Sequence, residues 1–192
     1  MTTKWNFITI VSGLPRSGTS MMMRMLEAGG MPVLTDSVRK ADEDNPRGYY
    51  EFERVKQLKT DSSWLAEAEG MAVKMVYRLL YLLPDSHAYR VVFMSRKLEE
   101  VIASQEVMLA RHQRQGGPLN PEQLANAFQT ELERLHTWLG GQNHIRVLSL
   151  TYHDVLSRPE RAVAEIDEFL GPGLNRIEMA RVAEPALYRQ RK

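Results

Sequence analysis

Between Phe7 and Leu26 the chain reads FITIVSGLPRSGTSMMMRML. Phe7–Val11 is a short, β-branched apolar run, which predicts a buried strand with Gly13 close behind it. Met21, Met22, Met23, Met25 and Leu26 predict a helix that is apolar on nearly all sides, hence buried, and that stops at Gly29-Gly30. The methionines read as adaptable core filler. The joint between them, Gly13-Leu-Pro-Arg-Ser-Gly-Thr-Ser20, has the spacing G-x-x-x-x-G-T-S, one letter from the phosphate-binding G-x-x-x-x-G-K-[ST]. Glycines at those places let the backbone wrap so that several N–H groups and the helix N-terminus point at one anion. The segment therefore reads as an anion cradle.

The missing letter is the lysine that touches the β- and γ-phosphates of a nucleoside triphosphate. Thr19 stands there, and the cation has moved to Arg16 inside the loop. A kinase or ATPase also wants a carboxylate for magnesium at the end of another strand. The strand candidate at 90–94 runs into Ser95-Arg96, and the one at 145–150 runs into Thr151-Tyr152. Asp154 is the nearest acid and is not directly at a strand end. The loop is expected to hold a phosphate-like group without the metal apparatus of triphosphate chemistry. The chain has no cysteine, which removes disulfides, cysteine-ligated metals and thiol nucleophiles. A cysteine phosphatase would need its thiol six residues before an Arg-Ser pair such as Arg16-Ser17, where Ile10 stands.

Farther along, residues 35–50 are polar and read as a loop, and helical stretches are expected from Glu51 to Glu69. Met71–Val76 and Arg90–Met94 are strand candidates, and Leu98, Val101, Ile102, Met108 and Leu109 form a helical stripe. Asn120 is placed to cap a helix whose first residue is Pro121 and whose inward positions are Leu124, Phe128, Leu132, Leu135 and Leu139. Ile145–Leu150 is another strand. A last helix opens at Ser157-Arg-Pro-Glu and ends at Gly171. Strands alternating with amphipathic helices predict an α/β fold with a mainly parallel sheet flanked by helices. A length of 192 residues suits one domain over 1–192.

Basic and acidic residues number 25 and 24, so a coat for nucleic acid or an anionic membrane is a poor reading. Of the 25 cations, 18 are Arg, the residue that grips phosphate bidentately, but a GC-rich genome gives the same bias and composition alone favours that cause. No apolar stretch is long enough for a signal peptide or a membrane span, so a soluble cytoplasmic protein is expected.

Pro15-Arg-Ser-Gly-Thr-Ser20 after an apolar strand resembles the 5′-phosphosulfate loop of sulfotransferases that use 3′-phosphoadenylyl sulfate (PAPS). Arg96 ends a strand, and Ser104 follows eight residues later. In the related enzymes an Arg and a Ser at this spacing bind the 3′-phosphate. Read from the residues alone, Arg96 projects from the carboxyl end of a parallel strand, where open α/β sheets bind ligands. Ser104 falls just outside the apolar stripe of its helix. Without the loop upstream, the pair would read as a surface ion pair and a chance small residue. Val147–Leu156, Arg158-Pro-Glu and Glu168–Gly171 are similar to the family's closing strand and helix, although His153 departs from its pattern. The tail Leu187–Lys192 looks like the family's basic tail but lacks the Gly that follows Arg-Lys there.

The resemblance implies a P-loop-type three-layer fold. It also implies transfer of a sulfuryl group from PAPS to a hydroxyl or amine, leaving adenosine 3′,5′-bisphosphate (PAP), with no metal. The acceptor would be a small molecule, carbohydrate or peptide. Arg16, Ser17, Gly18, Thr19 and Ser20 would hold the 5′-phosphosulfate, and Arg96 and Ser104 the 3′-phosphate. Cytosolic members carry a His two residues after a strand lysine. Lys74 matches that lysine, in contact with the sulfonate or simply ending a strand, but Val76 occupies the base position. Asn45-Pro-Arg-Gly-Tyr-Tyr-Glu51 resembles a stretch of bacterial relatives and makes Glu51 the first candidate base and Glu53 the second. As a plain residue, Glu51 reads as a helix-start carboxylate. Two other readings stay open: a small-molecule kinase with an altered loop, and a non-catalytic nucleotide- or partner-binding module.

Overall fold

The computed structural model describes residues 5–36, 48–113 and 116–183. Its strands are β1 (Ile8–Gly13), β2 (Val33–Leu34), β3 (Ala72–Lys74), β4 (Tyr89–Ser95) and β5 (Ile145–Thr151). Its helices are α1 (Thr19–Ala28), α2 (Leu98–Arg111), α3 (Pro121–Gly140), α4 (Tyr152–Ser157), α5 (Pro159–Leu170) and α6 (Arg176–Arg181). The strands form one sheet in the order β2-β3-β1-β4-β5, and every neighbouring pair is parallel.

A parallel sheet buries both faces, which is why β1 and β4 are apolar runs and not alternating patterns. Val11, Val92, Met94 and Leu150 point to one core with α1, α4, α5 and α6. Ile8, Ile10, Val73, Val91 and Phe93 point to the other, with Val101 of α2 and Leu135 and Leu139 of α3. The result is the α/β arrangement expected from the alternating elements, in the three layers that the resemblance implies. Among the described residues no helix is long and apolar enough to cross a membrane.

The site is positioned by the connections. From β1 the chain leaves toward β2 and β3 on one side, then crosses β1 to form β4 and β5 on the other. β1 and β4 are adjacent, with Gly13 opposite Met94. The loops after these two strands therefore diverge and leave a crevice at their carboxyl ends, the place where such sheets bind ligands.

Helix ends follow their local chemistry. At α3, Asn120 Oδ1 accepts from Gln123 N at 2.8 Å while Gln123 Oε1 accepts from Asn120 N at 3.1 Å, a reciprocal cap. The helical stretches expected from 51 to 69 take the form of two 3₁₀ turns, Glu53–Gln57 and Ser63–Ala66. Asp61 interrupts the segment: its Oδ1 accepts from Ser63 N at 3.0 Å and Ser63 Oγ at 2.7 Å. That local bond offers the backbone an alternative to a continuous helix. The apolar residues still reach the core, where Phe52 meets Trp64 edge-on at 5.6 Å. β2 is a two-residue strand just ahead of the expected loop, and β3 is shorter than the expected 71–76. Asn45, Pro46, Arg47 and the tail Arg189–Lys192 lie outside the described residues.

Candidate active site

The loop after β1 turns sharply, with φ of +149° at Gly13, +76° at Arg16 and +100° at Gly18. Glycine is demanded at 13 and 18 by space as well as by φ. A Cβ on Gly13 would stand 2.3 Å from the Met94 carbonyl oxygen, and one on Gly18 2.4 Å from Cδ2 of Tyr152. Ser17 N donates to Leu14 O at 3.1 Å and closes the turn. α1 then starts at Thr19, so its first-turn N–H groups and the positive end of its dipole stand beside the loop.

Arg16 is the unusual residue, because a left-handed backbone is sparsely populated for a side chain of its size. It is held from both ends. Its Nε donates to Ser104 Oγ at 3.0 Å, and its carbonyl accepts from a terminal nitrogen of Arg96 at 3.3 Å. Gln105 Nε2 adds a bond to the Pro15 carbonyl at 3.4 Å. Arg96 directly follows β4 and pairs with Glu100, Nε to Oε2 at 2.8 Å. Its Cζ lies 4.8 Å from the Tyr152 ring centroid. Burial pushes the Tyr152 hydroxyl pKa up, against the pull of Arg96, Arg16 and Arg24.

On the other side of β1, Lys74 ends β3 opposite Val11. Its Nζ donates to the Tyr49 carbonyl and lies 3.5 Å from Ser20 Oγ, which itself donates to Tyr49 O at 3.3 Å. The structure thus brings together Arg16, Thr19, Ser20, Lys74, Arg96 and Ser104 around one loop. Ser17 is placed differently from its neighbours. Its hydroxyl is buried under the loop near Gly13, with no hydrogen-bond partner among the described residues.

The two candidate bases are less closely tied to the loop. Glu51 is fixed by its backbone: its carbonyl accepts from Thr35 Oγ1 at 2.9 Å and Asp36 N at 3.2 Å. Two residues earlier, Tyr49 touches Lys74 and Ser20, so Glu51 belongs to the segment that borders the loop. The Glu53 carboxylate is engaged by Lys56 at 2.6 Å. Val76 is exposed, and His153 is exposed just past β5. Asp154 accepts from Thr151 Oγ1 at 2.7 Å and pairs with Arg158, which together hold its pKa below the ordinary carboxylate value. No group of three or more His, Asp or Glu able to hold a metal ion lies among the described residues.

Sequence reasoning missed Glu100, Gln105, Tyr49 and Tyr152 as parts of this constellation. Tyr152 had a readable signal, since it directly follows β5 as Arg96 follows β4.

A family model described as the sulfotransferase domain matches residues 8–192. The chain belongs to the sulfotransferase family. No curated protein sequence matches it. Among solved structures, the sulfotransferase domain of the Synechococcus olefin synthase is similar over 100% of this chain and 85% of that one, with 14% identity and a TM-score of 0.54. A sulfotransferase from Alicyclobacillus acidocaldarius is 14% identical, TM-score 0.50, over 86% of this chain and 81% of that one. Retinol dehydratase in complex with androsterone and the inactive cofactor PAP is 18% identical, TM-score 0.50, over 91% of this chain. This sulfotransferase-family chain spans 62% of that enzyme's length. At these identities the likeness is one of fold.

Proposed function

We propose that this chain is one catalytic domain over residues 1–192 that transfers a sulfuryl group from PAPS to an acceptor hydroxyl or amine. The observation that carries the reading is the cation set around a lysine-free phosphate loop. Arg16 comes from the loop itself, Lys74 from the neighbouring strand and Arg96 from the end of β4. A triphosphate site places its lysine in the helix's first turn instead. PAP in retinol dehydratase, a structure of the same fold, supports the choice of nucleotide.

The residues present fit such a nucleotide. The first-turn N–H groups at Thr19 and Ser20, with the Arg16 guanidinium, suit the 5′-phosphate. Arg96 and Ser104, whose hydroxyl accepts from Arg16 Nε, suit the 3′-phosphate, so Arg16 would lie between the two phosphates. PAPS supplies the sulfuryl group and a bisphosphate leaving group. Arg16 stabilises the charge that grows on the bridging oxygen, and Lys74 neutralises the sulfuryl oxygens. Glu51 takes the acceptor proton. Lys74 and Ser20 both donate to the Tyr49 carbonyl, so the segment leading to Glu51 is tied to the donors. The acceptor reading is a small-molecule, carbohydrate or peptide hydroxyl or amine, for a cytoplasmic enzyme.

The test is transfer of labelled sulfur from PAPS across a panel of phenolic, aliphatic, carbohydrate and amine acceptors, with EDTA present. Transfer to at least one acceptor is expected. Phosphate transfer from magnesium-ATP, with none of sulfur, would overturn the proposal. A second reading, bisphosphate binding without transfer, draws on two observations. Val76 stands where cytosolic relatives have a base, and Lys56 engages Glu53. Tight PAP binding with no acceptor turned over would favour it.

A further inference from the structure

Glu100 stands in the first turn of α2, four residues after Arg96, and its side chain is 1% exposed. An acid in a helix's first turn ordinarily faces water, where the dipole already favours it. Removing a carboxylate from water is unfavourable unless cations and hydrogen bonds compensate it. Here Oε2 of Glu100 accepts from Arg96 Nε at 2.8 Å, and Arg96 is itself only 9% exposed. The same guanidinium lies over Tyr152 and donates to the Arg16 carbonyl at 3.3 Å. A planar cation fixed by a carboxylate, a ring and a carbonyl has little freedom to rotate.

Ser104 continues the stripe. Glu100 and Ser104, four apart, share one face of α2, and Arg96, just before the helix, joins that face through its pair with Glu100. Ser104 accepts from Arg16 Nε at 3.0 Å, while Arg96 takes the Arg16 carbonyl. One stripe therefore grips both ends of a residue whose φ is +76°.

We infer that Glu100 is a positioning residue for the nucleotide. Its carboxylate sets the orientation of Arg96, and through Arg96 it supports the left-handed turn at Arg16. The cations for the two phosphates then act as a single unit. This inference rests on the nucleotide reading above and adds a residue to it.

Calorimetric titration with PAP tests it on the wild type, Glu100→Gln, Glu100→Asp, Arg96→Ala and the double variant Glu100→Gln/Arg96→Ala. Loss of the carboxylate is expected to weaken PAP binding about tenfold, within the range of one charge-assisted hydrogen bond. Glu100→Asp keeps the charge and is expected to recover part of that loss, binding about threefold more weakly than the wild type. The double variant should bind like Arg96→Ala alone, because Glu100 acts through Arg96. A merely structural Glu100 would instead lower affinity by the same factor in both backgrounds, and that result overturns the inference. So does Glu100→Gln binding PAP as the wild type does. If Glu100→Gln does not fold, Glu100→Asp carries the test. Its carboxylate is drawn back by one methylene, so a threefold weakening (about that size) is expected and unchanged affinity overturns the inference. A wild type that does not bind PAP overturns the functional reading, and this inference with it.

Discussion

The α2 side of the phosphate loop and the 48–53 side are held in different ways. On the α2 side, side chains from 96, 104 and 105 bond to the loop at Pro15 and Arg16, and Tyr152 packs against Gly18. Each of these partners starts at a strand end or sits on a long helix. On the other side, Lys74 and Ser20 converge on one backbone carbonyl, that of Tyr49. The segment carrying that carbonyl continues into 3₁₀ turns tied by Asp36 and Asp61. The α2 side is thus held to the loop by several side chains placed by strand ends and a long helix, whereas the 48–53 side depends on local polar bonds. On the proposed reading, the firmly held wall would face the nucleotide and the locally bonded wall the acceptor.

Substitutions can break or sharpen this contrast. Gly13→Ala should have the largest effect, since its Cβ meets backbone of β4, which cannot rotate away. A loss of about 3 kcal/mol in urea unfolding is expected from the clash and the strained φ. An unchanged midpoint would mean that the loop is not locked to the sheet. Arg96→Ala comes next and should weaken PAP binding by about 1.5–3 kcal/mol in calorimetry. Equal affinity would remove β4 from the donor wall. For Lys74→Ala, turnover should fall about tenfold while PAP affinity stays within about threefold. A matching loss of affinity would place Lys74 on the nucleotide and not on the transferred group. The smallest effect is expected for Glu53→Gln, whose carboxylate forms an exposed pair with Lys56. Such pairs contribute about 0–1 kcal/mol, and turnover should not change. Glu51→Gln in the same assay should abolish most transfer, and the reverse outcome would exchange the two acids.

The donor wall was also the part legible in the sequence, and the reason is physical. Gly13 and Gly18 are required by positive φ and by missing space, so their spacing survives as letters. Arg96 and Ser104 are singled out by the resemblance and by themselves read as a surface ion pair and a chance small residue; their bonds to Arg16 show only in the structure. Glu100 was not legible, since an acid in a first turn is ordinarily a solvent-facing feature and only burial shows otherwise. In the segment 51–69 the 3₁₀ form was not legible, because Val55, Leu58, Trp64 and Leu65 keep a helical spacing while the bonds at Asp61 divert the backbone. Strand order was unreadable for a different reason. Nothing local in β1 encodes that β3 and β4 are its neighbours.

The central claim is that a loop of this kind holds a bisphosphate nucleotide and not a metal-bound triphosphate. Thermal unfolding with each ligand in turn tests it most directly. PAP at about a hundred times its dissociation constant should stabilise the protein by about 2.7 kcal/mol, and magnesium-ATP at equal concentration should leave the transition where it was. Stabilisation by magnesium-ATP with none from PAP would contradict the account.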